Sequence, residues 1–205
     1  MSVFVAEELS EVLNTKVVIG RINMGLLNRI IIDDVLLDDQ SGQEMLKVTR
    51  LSAKFDIMPF FKGKISISSV QLFGFNINLR KETPDSPPNF KFVLDAFASK
   101  DTVKKENSLD LRINSILIRR GRMSYHVLSE EETPGKFNAK HIQLQNIIAN
   151  ISLKALSKDS LNLGIKRLSL DEKASGFSLK KMSLKLVANN KQTNIDNFTI
   201  ELPET

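Results

Sequence analysis

Histidine and cysteine, the side chains that most often act as bases, nucleophiles or transition-metal ligands, are scarce in this chain. It contains two histidines, His126 and His141, and no cysteine. The histidines fall in separate predicted strands, and neither has an acidic residue at a spacing typical of a catalytic or metal motif. We therefore expect both to be structural or surface residues. Without cysteine the chain forms no disulfide and no thiolate metal site.

A group of carboxylates lies at the end of one predicted strand. Its members are Asp33, Asp34, Asp38 and Asp39. Carboxylate oxygens suit Ca²⁺, but the Asp-x-Asp-x-Asp-Gly spacing of a calcium loop is absent. A solvated strand end is the interpretation we favour, with a calcium site as the alternative.

A basic group surrounds Gly121 and consists of Arg119, Arg120 and Arg122. Its simplest interpretation is a solvated turn. Tyr125 is the only tyrosine and there is no tryptophan, so aromatic platforms for stacking single-stranded nucleic acid are poorly supplied. The sequence also has no phosphate-binding glycine loop, no nucleophile elbow and no His-x-x-x-His pair. We predict a protein that is not an enzyme, with no catalytic or metal-binding residues, no cofactor and no nucleic-acid partner.

The overall composition is that of a folded protein. Of 205 residues, 41% are hydrophobic and 26% are charged, with a formal net charge of +5. This mildly basic balance suits a mixed, solvated surface or a surface near anionic lipid headgroups. No apolar run approaches the roughly 18 residues that a membrane-spanning helix needs.

The clearest pattern is an alternation that slips by one residue. In the stretch 64–79, KISISSVQLFGFNINL, apolar residues alternate at Ile65 and Ile67 and then resume at Val70 and Leu72. The same figure, Φ-x-Φ-x-x-Φ-x-Φ with Φ apolar, recurs at 17–24, 30–37, 111–118, 142–149, 163–170 and 177–184, with a shortened copy at 195–200. Alternation places apolar residues on one face of a strand, and one extra residue reverses the face. We therefore predict a bulge or twist at each slip that restores the face.

These repeats predict a long antiparallel meander with few helices. An amphipathic helix is expected at 2–14, either packed on the sheet or lying on a membrane surface. A proline-rich loop at 81–89 precedes a short helix capped by Asn89, and two strands are expected on either side of Gly121. We divide the chain into a helix-plus-sheet unit at 1–99, a charged linker at 100–107, and a second meander at 108–205 that continues the same sheet.

One aliphatic face of this meander needs a covering partner, because burial of apolar area is a main source of stability. The face can be covered in three ways: by a second sheet, by closure of the sheet into a barrel, or by a molecule outside the chain. The third leaves a curved apolar groove suited to acyl chains, which need no hydrogen-bond donors. The candidate groove-lining residues are Ile30, Ile32, Ile65, Ile67, Val70, Leu72, Ile113, Ile116, Ile142, Leu144, Ile147, Leu163, Ile165 and Leu179.

Several segments resemble one protein family. They are the helix followed by Val18-Ile19-Gly20, the strand end Asp34-Val35-x-Leu37-x-Asp39, Leu51-x-x-x-Phe55-Asp56-Ile57, Ile67-x-x-Val70-x-Leu72-x-Gly74, the linker Pro84-Asp85-Ser86-Pro87-x-Asn89-Phe90, His141-Ile142-x-Leu144 and Ser175-Gly176-Phe177-x-Leu179. Together they resemble the N-terminal region of AsmA-like proteins, in particular the TamB-type translocation and assembly module proteins of Bacteroidetes.

This resemblance implies a long periplasmic protein that is anchored in the inner membrane by one N-terminal helix. It implies an extended β-groove, similar to that of chorein-type bridge-like lipid-transfer proteins, which moves phospholipid toward the outer membrane. It also implies a role in outer-membrane protein assembly beside a BamA- or TamA-like barrel protein. The chain would then be a membrane-proximal fragment without the anchor and the repetitive middle. A structural or interaction scaffold with a closed β core is the alternative.

Overall fold

The protein is dominated by one open, mostly antiparallel β-sheet that does not close into a barrel. The structure is a computed structural model and describes residues 2–26, 28–55, 65–98, 109–110, 114–156 and 160–204. The chain order runs α1 (Ser2–Leu13), β1 (Val17–Gly25), β2 (Arg29–Asp38), β3 (Glu44–Phe55), β4 (Ile65–Lys81), α2 (Lys91–Ala98), β5 (Leu109–Asp110), β6 (Ser115–Val127), β7 (His141–Leu156), β8 (Ser160–Glu172), β9 (Ser178–Asn189) and β10 (Thr193–Glu201).

Strand order in the sheet follows chain order, as expected for a meander. Every neighbouring pair of the nine long strands is antiparallel except β4 and β6, which pair in parallel with Val70 beside Ile116. The two-residue strand β5 also pairs in parallel with the start of β4. Parallel neighbours need a crossover, and the connection that contains α2 supplies it. Strands from both halves of the chain therefore belong to one sheet, whereas the predicted linker 100–107 lies outside the described residues.

Most of the predicted slips are irregular points in the strands, but the copies at 17–24 and 111–118 show neither a left-handed residue nor a register shift at their slip positions. Asp34, Asn146 and Asn197 each occupy the second slip position and adopt a left-handed backbone, with φ between 53° and 57°. The pairing register shifts at the slips of 163–170 and 177–184 instead. Gly, Asn and Asp enter the left-handed region at the lowest cost, which explains most of these choices.

The stretch 64–79 contains two irregular points rather than the single predicted one. The register shifts between the pairs Lys54–Ser69 and Phe55–Ile67, which marks the predicted slip. A second irregular residue, Gly74, has a φ of 63° and lies between Leu72 and Phe75. Leu72, Phe75 and Ile77 pack in one cluster, so the irregular residue Gly74 keeps the apolar residues on its two sides on the same face.

Gly121 does not separate two strands, as the sequence suggested. β6 runs without interruption from Ser115 to Val127, and the left-handed residue is Arg120, with a φ of 55°. The guanidinium of Arg120 lies 5.2 Å from the ring centroid of Phe73, a cation–π distance that offsets part of the backbone strain. Gly121 itself faces Phe75, where an added Cβ would lie 2.4 Å from the ring. A slip and a turn share this sequence signature, because glycine occurs in both.

The two helices cover one corner of the sheet. Ala6 of α1 is buried against Val17, Ile19 and Leu37, and side chains from α2 pack against the same cluster. The hydroxyl of Ser10 accepts a hydrogen bond of 3.0 Å from the backbone N–H of Val17, which fixes the exit of α1. The helix predicted at 2–14 therefore packs on the sheet through part of its surface.

A buried polar cluster holds α2 and its preceding loop in place. Asn89 does not cap α2 as predicted; its amide donates to the Asp39 carboxylate at 3.1 Å and to the Asn78 carbonyl at 3.0 Å. The backbone N–H of Arg80 donates to the Asn89 side-chain oxygen, and the Arg80 guanidinium lies 2.7 Å from the Asp39 carboxylate. Asp39 is 2% exposed, so these partners satisfy a carboxylate that would otherwise be buried alone.

Candidate functional site

A continuous row of apolar side chains crosses all nine long strands. Each residue is the direct cross-strand partner of the next, in the order Ile22, Ile32, Leu51, Leu72, Ile118, Ala149, Leu168, Met182 and Ile200. Paired residues point to the same face of a sheet. The sheet therefore carries one unbroken apolar band from its first edge to its last.

A second apolar row runs beside the first over eight strands. Its members are Met24, Ile30, Ala53, Val70, Ile116, Ile151, Ile165 and Leu184. They lie two residues from members of the first row on the central strands, so both rows share a face. We call the face that carries these rows the apolar face.

The apolar face brings together most of the predicted groove residues. Ile32 and Leu72 belong to the first row, and Ile30, Val70, Ile116 and Ile165 to the second. Leu144 packs with the central cluster, Ile67 pairs with Phe55, Ile142 with Tyr125, and Leu163 with both Leu153 and Leu186. Ile147 and Leu179 are each 8% exposed, which places them in the packed part of the face. Ile113 and the side chain of Ile65 lie outside the described part of the structure.

Much of the apolar face remains open to solvent. Outside the helix-covered corner, the tight centre is formed by Val48, Phe75 and Ile147, while Val70, Ile116 and most other members of the two rows are only half-buried. Among the described residues no large side chain is less than 2% exposed. The chain exposes 14102 Å², whereas a compact monomer of its mass exposes about 9,700 Å². In the part of the chain that the structure describes, no second layer covers most of this face.

The opposite face is largely polar and carries ion pairs. Asp33 lies between two arginines, with its carboxylate 2.6 Å from the Arg50 Nε and 4.0 Å from the Arg21 guanidinium. The hydrogen bond from Arg50 holds the pKa of Asp33 below its usual value, against the opposing effect of burial. Asp33 is thus a partner of arginines from the neighbouring strands, which makes the calcium interpretation of the aspartate group unnecessary.

Two other carboxylates organise tight turns. Burial disfavours the charged form of Asp39, but hydrogen bonds from Ser41, Asn89 and backbone N–H groups outweigh it and keep the pKa of Asp39 below its usual value. Glu172 behaves in the same way: burial opposes its ionisation, yet the hydroxyl of Ser175 and three backbone N–H groups lower its pKa to about 2. Both side chains therefore serve the architecture of the hairpins.

The sequence does not predict that the two histidines lie close together, but the pairing of their strands places them side by side. His126 and His141 are direct cross-strand partners on β6 and β7, at the end of the sheet that carries the 128–140 loop. Only the pairing register could have revealed this, because a residue spacing of 15 has no meaning without the turn between the strands.

Comparison with known proteins identifies no family: no family model matches the chain, and no curated protein matches it. Neither of the two described helices is long and apolar enough to cross a membrane.

Proposed function

We propose that this protein binds lipid acyl chains along the apolar face and acts as a non-catalytic module in lipid transport. The observation that supports this most is the apolar row from Ile22 to Ile200, which crosses nine strands without a polar interruption. Acyl chains gain free energy by leaving water for such a surface and require no hydrogen-bond donors from it.

The dimensions of the row suit this ligand. Nine strands spaced by 4.7–4.9 Å give a band of about 38 Å. One leaflet of a bilayer core is about 15 Å thick, so an extended acyl chain lying across the strands would span three or four of them. The band is therefore long enough for more than one chain in succession, as a conduit requires.

The polar face and the mildly basic net charge also fit a lipid-binding sheet that is exposed to water. A sheet that is apolar on one side and charged on the other can hold acyl chains inside while it remains in water. Together with the resemblance to AsmA-like and TamB-type proteins, this supports a place in the bacterial periplasm near the inner membrane. Phospholipid would be the cargo, moving toward an outer-membrane barrel partner of the BamA or TamA type.

The test is direct binding of lipid to the purified protein. Lipids extracted from the protein should be detected by mass spectrometry, and a fluorescent fatty-acyl probe should bind with an affinity that falls when the apolar face is made polar. Ile116→Ser is the suitable variant, because Ile116 is half-buried in the second row. Leu117→Ser is its matched control, since Leu117 is equally half-buried but lies on the opposite face, beside Asn150. Absence of lipid together with absence of probe binding would exclude the proposal.

A second function, a scaffold that extends by strand addition, is favoured by one observation. β10 lies at the edge of the sheet, and three of its apolar side chains, Ile195, Phe198 and Ile200, are at least 50% exposed. Exposed edges recruit further strands. Ile195 is opposite Leu186 at a position that alternates with the hydrogen-bonded pairs of β9 and β10, so its N–H faces the free edge. Ile195→Pro would therefore block an added strand without removing a β9–β10 hydrogen bond. Concentration-dependent self-association that Ile195→Pro abolishes, without any acyl binding, would favour the scaffold over the lipid module.

A further inference from the structure

The end of the sheet formed by β6, β7 and the 128–140 loop gathers the only two histidines of the chain with a carboxylate. The Nδ1 atoms of His126 and His141 lie 3.0 Å apart. One carboxylate oxygen of Glu132 lies 3.7 Å from the first Nδ1 and 3.9 Å from the second. No other group of three such ligand atoms lies this close together among the described residues.

The spacing of these three atoms matches a metal coordination sphere. The point equidistant from three atoms separated by 3.0, 3.7 and 3.9 Å is about 2.1 Å from each of them, the Zn–N and Zn–O bond length in proteins. A tetrahedral site places ligand atoms about 3.3–3.4 Å apart, so the two Nδ1 atoms must separate by about 0.3 Å and the Glu132 carboxylate must move closer to both of them by about 0.5 Å. Glu132 is 63% exposed and sits in the loop, which leaves it free to make that movement.

The surroundings orient His141 as a metal ligand. Its Nε2 lies 2.9 Å from the backbone carbonyl of Glu130, and a carbonyl only accepts, so Nε2 carries the proton. Nδ1 of His141 is then left with its lone pair directed toward His126. A metal-bound histidine typically donates its other N–H to a carbonyl or carboxylate in this way.

Neighbouring charges leave Glu132 available and the site open. The carboxylate of Glu130 pairs with the Lys140 ammonium at 2.6 Å, so Glu132 is the acidic side chain directed to the histidines. The side chain of His141 is 8% exposed and that of His126 is 24% exposed. The site thus has a fixed, buried ligand on one side and a solvent-accessible path on the other.

We propose that His126, His141 and Glu132 bind one divalent first-row transition metal ion, of which zinc is the representative. Without metal, the Nδ1–H of His126 donates to the Nδ1 of His141. On binding, that proton moves to the Nε2 of His126, and both Nδ1 lone pairs are directed to the ion. Two imidazoles and one carboxylate leave at least one coordination position for water, and they favour Zn²⁺ over Ca²⁺ or Mg²⁺, which prefer oxygen ligands only.

Titration of the full chain, without a histidine tag, with Zn²⁺ tests the proposal. Calorimetry should show one equivalent bound, and Co²⁺ in place of zinc should give the visible absorption of a site with nitrogen ligands. His126→Gln and Glu132→Gln should each weaken zinc binding by about tenfold or more. Glu131→Gln is the matched control, because Glu131 is the exposed neighbour and only its backbone carbonyl makes a described hydrogen bond. It should bind zinc like the unchanged chain.

Thermal unfolding separates loss of the site from loss of the fold. Zinc should raise the melting temperature of the unchanged chain and of Glu131→Gln, but not that of His126→Gln. Glu132 is exposed, so its substitution leaves the fold intact and keeps the test valid even if a histidine variant unfolds. The proposal is overturned if the unchanged chain binds no zinc, or if His126→Gln and Glu132→Gln bind it as tightly as the control does.

Discussion

Gly74 on β4 lies against Thr49 on β3, at the point where both strands change their alternation. The backbone of Gly74 is left-handed, with a φ of 63°, and an added Cβ would lie 2.7 Å from the Thr49 hydroxyl. Asp34 on β2 occupies the corresponding position one strand further, since Val35 pairs with Val48 and Asp33 with Arg50. The slips of neighbouring strands therefore lie side by side, and together they form a line of irregular positions across these strands.

Substitution of Gly74 should show what this line contributes. Gly74→Ala combines left-handed strain with a steric clash, so we expect it to lower the free energy of unfolding by about 2–3 kcal/mol. Gly42→Ala is the control, because Gly42 also has a positive φ, 78°, but an added Cβ there meets nothing within 4 Å. It should cost about 1 kcal/mol. Urea unfolding measures both, and equal losses would contradict the role of the Thr49 contact.

The sequence predicts the slips because the spacing between apolar residues changes from two positions to three at each slip. It predicted Asp34 and Asn146 as slip positions for the same reason, and these residue types suit the left-handed backbone there. The second irregular point at Gly74 is harder to predict, because its pattern, Val70-x-Leu72-x-x-Phe75-x-Ile77, overlaps the copy of the repeat at 65–72. Arg120 was missed because arginine has no preference for a left-handed backbone.

Other features depend on which strands pair and in which register. The alternation of apolar residues does not give this information. The sequence does not predict the parallel pairing of β4 with β6, because the alternation of apolar residues is the same in parallel and antiparallel strands. The contact between His126 and His141 requires the β6–β7 register. The role of Asn89 was misread because a cap and a tertiary hydrogen bond call for the same side chain. The partner of the apolar face is not encoded in the pattern at all.

The buried carboxylate of Glu172 should make stability depend on pH. Burial raises the pKa of Glu172, but hydrogen bonds to its charged form outweigh burial and lower the pKa from an ordinary value of 4.5 to about 2 in the folded protein. A lowered folded pKa gives stability that is complete above pH 4.5 and is lost as the pH falls toward 2. Glu172→Gln should lower the free energy of unfolding at pH 7 by about 1–3 kcal/mol and reduce the slope of stability between those limits.

Urea midpoints measured from pH 7 to pH 2.5 test this prediction. Glu204→Gln is a suitable control, because Glu204 is exposed and follows β10. The prediction is wrong if Glu172→Gln has the same pH slope as the unchanged protein.

The Asp39–Asn89–Arg80 cluster should determine whether α2 stays on its corner of the sheet. Asn89→Ala removes hydrogen bonds to Asp39, to the Asn78 carbonyl and from the Arg80 N–H. Unpaired buried polar groups cost about 1–3 kcal/mol, so the α2 segment should lose protection in hydrogen exchange by about tenfold or more. Unchanged exchange in α2 would show that its apolar contacts alone hold it.

An exposed position in the preceding loop separates this effect from a general change in the connection. Asp85 lies in the same 82–90 segment, is exposed, and makes no described side-chain hydrogen bond. Asp85→Ala should therefore leave hydrogen exchange in α2 unaltered.

The central claim is that acyl chains lie on the apolar face, and photo-crosslinking tests it most directly. A fatty acid that carries a diazirine in its chain would be bound to the purified protein, irradiated, and its attachment sites mapped by mass spectrometry. We predict crosslinks on half-buried residues of the two apolar rows, such as Val70, Ile116 and Ile165. Crosslinks distributed equally over the polar face, for example at Gln71 and Leu117, or no crosslinks at all, would contradict the account.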